Sequence, residues 1–370
     1  MKYIVSILAL VLFACSNCDE SEQNDQPVSY KITDLYTGLE HPWGLDFLAD
    51  ESILITERPG RMVHWQNGVM HQVSGLPTSI VAIGQGGMMD ILVYESNSVS
   101  AKVYFTASNE VNGKSSTAIF EADFMMDSHS LQNVNILYQA TPLIDNGGHF
   151  GSRIVIDKTN HIFLGLGERQ QMELAQDNSN SSGTVVRLNL DGSIPVSNPF
   201  TDIDTIKNEI WSYGHRNIQG MFIHPKTKEI WTHEHGPKGG DEINVLKKGG
   251  NFGWPLATYG IDYDGSIISE FTHVEGTEQP EHYWVPSIAP CGMEIYSGKV
   301  FPQWKHQIFI GALAQQHVNR LSVVNGTVTE EDRMFKSYGR FRAIKEGPDG
   351  LLYLLSEGNG GKLSRIEVKN

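Results

Sequence analysis

Six short runs of bulky apolar residues, spread over 370 positions, constrain this chain more than any other feature of it. They are SILITER (52–58), KVYFTAS (102–108), HIFLGLGE (161–168), EIWTHEHG (229–236), QIFIGAL (307–313) and LLYLLSEG (351–358). Each has a core of β-branched, leucine or aromatic residues and ends in small or polar ones. Several follow a turn signal: LADE, DKTN, HPKTK or GPDG. Such runs read as strands, and no long amphipathic helical pattern competes with them. They recur at intervals of about 45 to 80 residues, the range of propeller blades and other repeats.

The expectation is an all-β chain folded as a six-bladed β-propeller. A jelly roll and a β-helix are the alternatives, but the spacing is too long for β-helix coils. The turn-then-strand unit predicts that each run is the innermost strand of its blade and lines a central channel. The polar residues after each run then gather at one mouth, so a site there draws on residues far apart in sequence. YKITDLYTGL (30–39) is placed as the segment that closes the ring by joining the last blade.

The N-terminus reads as an export signal. MKYIVSILALVLFAC offers one lysine, an apolar run from Tyr3 to Ala14, and then Cys15. Leu12-Phe13-Ala14-Cys15 resembles a bacterial lipobox, in which the cysteine is lipidated and becomes the mature N-terminus. The polar, acidic stretch after it reads as a tether. The expected organisation is a signal peptide at 1–14, a tether at 15–29 and the propeller at 30–370, in an exported, periplasmic lipoprotein anchored at Cys15. Only Cys18 and Cys291 then remain, so a structural disulfide is not expected. The formal net charge of -15 argues against nucleic acid as a partner, because the phosphate backbone would be repelled.

Candidate chemistry lies in the turns. NGGHFGSRIVID (146–157) sets His149 among glycines just before a strand, and GLGERQQ ends near Glu168. A carboxylate beside a histidine fixes its tautomer and raises its basicity. Taken alone, His149 reads more readily as a structural loop residue. IWSYGHRNIQGM offers Arg216 and Asn217, and GRFRAIKEGPDG offers Arg340 and Arg342. Two arginines two apart on a strand share a face. With a third guanidinium they suit a ligand carrying several carboxylates, or else they pair with the acidic surface. Gln85, before two glycines, is placed to bond a ligand or simply to turn the chain. In HEHGPKGGDEIN (233–244) the Gly236 and Pro237 carbonyls and the Glu242 carboxylate are hard oxygen ligands, favouring Ca²⁺. The histidines pull toward zinc, but the spacing is not that of HExxH.

Taken together in order, HPWGLDFL, GQGGMMD, HFGSR, AQDNSNSSGTVVRLNLDGSIP, IWSYGHRNIQGM, HEHGPKGGDEIN, GGNFGWPLATYGIDYDG, FPQW, RFR…GPDG and GKLSRIE resemble the soluble PQQ-dependent sugar dehydrogenases, in their bacterial aldose branch. The resemblance runs from about residue 41 to 367 and implies a six-bladed propeller. It implies that His149 is the general base toward the sugar's anomeric hydroxyl and that Glu168 orients it. It implies that Gln85, Arg216, Asn217, Tyr263, Arg340 and Arg342 hold PQQ, with His235 beside it. Gly236 and Pro237 match ligands of the Ca²⁺ on PQQ, and Glu242 and Phe252 match a further Ca²⁺ position. The implied reaction is oxidation of an aldose to its lactone, with Arg216 stabilising charge on the reduced quinone and electrons leaving to an external acceptor.

There are departures. Ala314 stands where relatives often have a lysine, so a backbone or glutamine contact takes its place. Phe252 replaces a tyrosine, and Ala343 an aspartate. No glycine-rich dinucleotide fingerprint follows a strand, which argues against nicotinamide. A calcium-dependent propeller lactonase and a cofactor-free binding propeller are the competing readings.

Overall fold

The computed structural model describes residues 29–324 and 326–369. The signal segment, Cys15, Cys18 and the tether up to residue 28 lie outside the described residues. From Tyr30 to Val368 the chain forms six four-stranded antiparallel sheets. Blades 1 to 5 span residues 42–72, 88–139, 154–213, 218–284 and 290–334, each laid down in chain order from the channel outward. Blade 6 takes three strands from residues 341–368 and its outermost strand from the other end of the chain, Tyr30–Glu40. The segment expected to close the ring does so, with Tyr30 opposite Val368 and Glu40 opposite Asn359. Among the described residues the only helical segments are two short 3₁₀ turns, Met172–Gln176 and Pro302–Trp304.

One expectation is corrected. The six apolar runs are not the innermost strands but the second ones: Ile53–Glu57, Ser100–Val111, His161–Gly165, Ile230–Glu234, Ile308–Ala312 and Leu352–Ser356. A second strand has a strand on either side and a neighbouring blade against each face. Every residue of ILITE, IWTHE, IFIGA and LYLLS is accordingly buried. Both faces must then be apolar, so the run is continuous rather than alternating. The innermost strands are Pro42–Phe47, Met88–Ser96, Ile154–Ile156, Ile218–Ile223, Pro290–Ile295 and Phe341–Glu346. Proline, glycine or polar residues interrupt all of them but Ile154–Ile156. In all but blade 3, pairing with the second strand slips near the strand's start, which bends it where it enters the channel.

Six hydrophobic layers fill the six junctions between blades. Leu54 and Met62 of blade 1 meet Phe105 and Phe120 of blade 2 in one of them. Phe309 and Val318 of blade 5 meet Leu352 and Leu354 of blade 6 in another. Burial of each such side chain contributes about 1.5–3 kcal/mol. Cys291, at the start of an innermost strand, is a buried free thiol.

Because first and second strands are antiparallel, each second strand ends where the first begins. Arg58, His235, Leu313 and Glu357 follow directly on second strands, Glu168 comes three residues after one, and all line cavities at one end of the channel. The gathering of polar residues at one mouth therefore holds, although the strand that delivers them is the second.

Candidate active site

Blade 3 builds the first part. The loop before its inner strand turns at His149, which has φ +44°, and the loop after its second strand carries Glu168. The two loops touch through Gly167, where a Cβ would fall 2.1 Å from the His149 carbonyl oxygen, so only glycine fits. This contact sets His149 Nδ1 2.6 Å from Glu168 Oε2. Gln85 accepts the His149 backbone N–H at 3.0 Å. Arg169 donates to the carbonyls of Asn146, Gly148 and Ser115, and its guanidinium lies 3.7 Å from the Phe150 ring centre. That pins the NGGH loop. The next residue after Glu168 thus has a positioning role that the sequence reading missed; a buried arginine cannot be told from a surface one by pattern alone.

Blade 4 resolves HEHGPKGGDEIN. His233 and His235 lie on one side of the second strand. They donate through Nε2 to the Gly292 and Pro290 carbonyls of blade 5, at 3.1 and 2.8 Å. Burial lowers both: His233 is pushed down to about 3 and His235 well below its ordinary value, so both are neutral. They join blades and do not form a zinc pair. Glu234 points the other way and accepts from His215 Nδ1 at 2.9 Å and from the Arg216 N–H at 2.5 Å. Asp241, whose carboxyl burial pushes up, organises the glycine-rich turn. It accepts from the N–H groups of Gly236, Ile288 and Ala289 and from the Ser287 hydroxyl.

The Gly236 carbonyl already accepts from Arg216 Nη1 at 2.9 Å, alongside the His235 carbonyl at 3.0 Å. Glu242 and Phe252 share a small void with Glu234, His235 and Gly236. Burial first, then Glu234 and Asp241, raise the Glu242 carboxyl to about 8. It has one long contact, from Asn244 at 3.4 Å.

The cavities divide the expected residues into two adjoining groups. A cavity of about 280 Å³ holds Gln85, Asn217, His235, Arg340 and Arg342, together with Trp43, Arg58 and Glu357. A second, of about 190 Å³, holds His149, Glu168, Arg216, Pro237 and Tyr263. Tyr263, two-thirds exposed, stands on the loop at its rim. Arg340 and Arg342 do face together, but a partner the sequence reading missed lies between them. Glu357 accepts from Arg340 Nε at 3.1 Å and from Arg342 Nη2 at 2.7 Å. Burial alone would raise its carboxyl, yet the two arginines hold it at about 2.

Ala314 is not brought into either cavity. Its neighbour Leu313 lines the larger one, while Ala314 is exposed and its N–H bonds the Ile288 carbonyl. Gln315 does not substitute for a missing cation either: its amide contacts the Ser287 carbonyl and Arg333.

Comparisons with known proteins converge. The family model described as Glucose / Sorbosone dehydrogenase matches residues 39–365. The aldose sugar dehydrogenase YliI of Escherichia coli (strain K12) is 41% identical over 352 residues, covering 93% of this chain and 94% of that one. The quinoprotein glucose dehydrogenase B of Acinetobacter calcoaceticus is 25% identical over 413 residues, covering 88% and 85%. The crystal structure of the soluble aldose sugar dehydrogenase from Escherichia coli in the apo-form superposes with a TM-score of 0.87 at 38% identity. That match covers 92% of this chain and 100% of the other.

Proposed function

Because the chain belongs to the glucose/sorbosone dehydrogenase family and is a sugar dehydrogenase, we propose that it oxidises an aldose at C1 to the lactone, with PQQ and Ca²⁺ held at the channel mouth. The observation that carries this reading is the His149–Glu168 pair facing a cavity beside a cluster of guanidiniums.

The residues fit both groups. Among the described residues, Nε of Arg58, Arg216 and Arg342 is buried without a partner, a donor set suited to a planar polyanion. Gln85, Asn217, Arg340 and Arg342 would hold PQQ on one side, and Arg216 and Tyr263 on the other. Glu242, crowded by two other carboxylates, suits a hard cation. The Gly236 and Pro237 carbonyls would offer oxygens to the Ca²⁺ beside PQQ, and the Phe252 carbonyl would join Glu242. When bound, PQQ supplies the two-electron acceptor and Ca²⁺ a Lewis acid beside it.

The chain's own part is proton transfer and placement. Glu168 takes the Nδ1–H of His149, so Nε2 keeps its lone pair toward the cavity. The proton of the sugar's C1 hydroxyl passes to Nε2, and Glu168 stabilises the imidazolium that forms. Arg216, held by two carbonyls, keeps a fixed positive charge beside the reacting atoms. Electrons leave to an external acceptor. Export and a lipid anchor at Cys15 remain part of the proposal on the strength of the lipobox; a Cys15→Ser form released from membranes supports them, and one still anchored overturns them.

Protein purified without PQQ should gain dye-reducing activity with an aldose such as glucose on addition of PQQ and Ca²⁺. No activity with any aldose overturns the proposal.

A further inference from the structure

Three guanidiniums line the larger cavity, and one of them lacks an acidic partner. Arg340 and Arg342 share Glu357. Arg58 makes no ion pair among the described residues, and its Nε is buried without any partner. Its position is nevertheless fixed. The Arg58 N–H donates to the His41 carbonyl at 3.0 Å, and its carbonyl accepts from the Met88 N–H at 3.1 Å. The residue therefore joins the end of blade 1 to the inner strand of blade 2. The side-chain stem lies over Gly87, where a Cβ would come within 2.9 Å of Arg58 Cγ and 1.8 Å of its carbonyl oxygen. Nη1 donates to the Gly84 carbonyl, in the turn that carries Gln85. Like His235 in blade 4 and Glu357 in blade 6, Arg58 is the residue directly after a second strand.

Arg58 as a whole is half-buried, but a guanidinium that lines a cavity, with its Nε unpartnered and no counter-charge beside it, is free to take an anion there. We infer that Arg58 is a separate anion-binding subsite, taking a carboxylate of the planar polyanion whose other acidic groups meet Arg340 and Arg342. The cation that Ala314 does not supply comes instead from blade 1. This rests on the proposed cofactor only for the ligand's name; the subsite is defined by the cavity.

Binding can be read without turnover, from quenching of tryptophan fluorescence, since Trp43 lines the same cavity. Arg58→Gln should weaken PQQ binding about ten- to a hundredfold. Arg58→Lys, which keeps the stem over Gly87 and the charge, should recover most of it. The trimethyl ester of PQQ should bind the wild type more weakly than the acid does, and that difference should shrink in Arg58→Gln. Unchanged PQQ binding in Arg58→Gln, or an unchanged difference between acid and ester, overturns the subsite alone. If PQQ fails to bind, benzene-1,3,5-tricarboxylate serves as the planar polyanion. Arg58-dependent binding of that compound upholds the subsite and overturns the PQQ reading, whereas no binding of either overturns both.

Discussion

Blades 3 and 4 carry the same device. In each, a histidine before the inner strand gives Nδ1 to a glutamate nineteen residues later, after or at the end of the second strand: His149 to Glu168 at 2.6 Å, His215 to Glu234 at 2.9 Å. The difference lies at the other ring nitrogen. His215 is fully buried, its ring stacks on Phe252, and Nε2 is bonded to the Ser212 hydroxyl at 2.9 Å. His149 turns Nε2 to a cavity, with no protein partner among the described residues. One geometry thus gives a bolt in blade 4 and, in the proposed mechanism, the base in blade 3. A polarised imidazole becomes a catalyst only where its second nitrogen is left open.

That contrast is exposed to test. The largest effect expected is on turnover: His149→Ala should lose about 10²–10⁴-fold while still binding ligand, and His215→Ala less than tenfold. Equal losses would erase the distinction. Stability should run the other way. His215→Ala strands Glu234 in the interior and should cost about 2–4 kcal/mol in denaturant unfolding. His149→Ala opens onto a cavity that water can fill and should cost about 1 kcal/mol or less. A smaller change, about ten- to a hundredfold in turnover, is expected for Glu168→Gln, which keeps the contact but weakens the hold on the tautomer; a variant as active as wild type would show that the carboxylate is only structural.

The gentlest effect is a slope. Glu242, next to the blade 4 pair, has no counterpart beside Glu168. Its carboxyl is raised from an ordinary value of 4.5 to about 8, so the folded protein binds more protons than the unfolded chain between those values. Stability of metal-free protein should therefore fall as pH rises from about 4.5 through 8 and level off above. Glu242→Gln should flatten this slope, and so should Ca²⁺, which favours the ionised form. A slope that survives in Glu242→Gln would place its origin elsewhere.

What could be read in advance followed burial. ILITE, IFIGA and LYLLS stand out because second strands are enclosed on both faces. Their very prominence also drew them, wrongly, to the channel. The inner strands, PWGLDF or PCGMEI, are broken by glycine and proline at bulges, and no periodicity marks them. At the mouth, His149, Glu168, Arg216, Arg340 and Arg342 were visible because unusual residues cluster beside glycines. Arg58 and Glu357 sat in plain view at the ends of SILITER and LLYLLSEG. Nothing local shows that one is left without a counter-charge and the other clamps two arginines, because both facts arise between blades. Asp241 and Glu242 stand side by side in the sequence, yet one caps a turn and the other faces a void; only the alternation of strand faces separates them.

The closing of blade 6 has a temporal side. Tyr30 finds Val368 only when nearly all of the chain between them exists. Pairs so distant in sequence are slow to form. Until they do, blade 6 presents an unpaired edge and the strand from Tyr30 waits for its partner, both open to wrong pairing with another chain. The same closure brings the two ends of the described chain together, Lys369 donating to the Ser29 carbonyl at 2.8 Å. The order of synthesis is then separable from the architecture. Joining the ends by a short linker and opening the chain at the exposed Asn112–Gly113 hairpin should yield the same ring, with blade 6 assembled mid-chain and its vulnerable interval moved to blade 2.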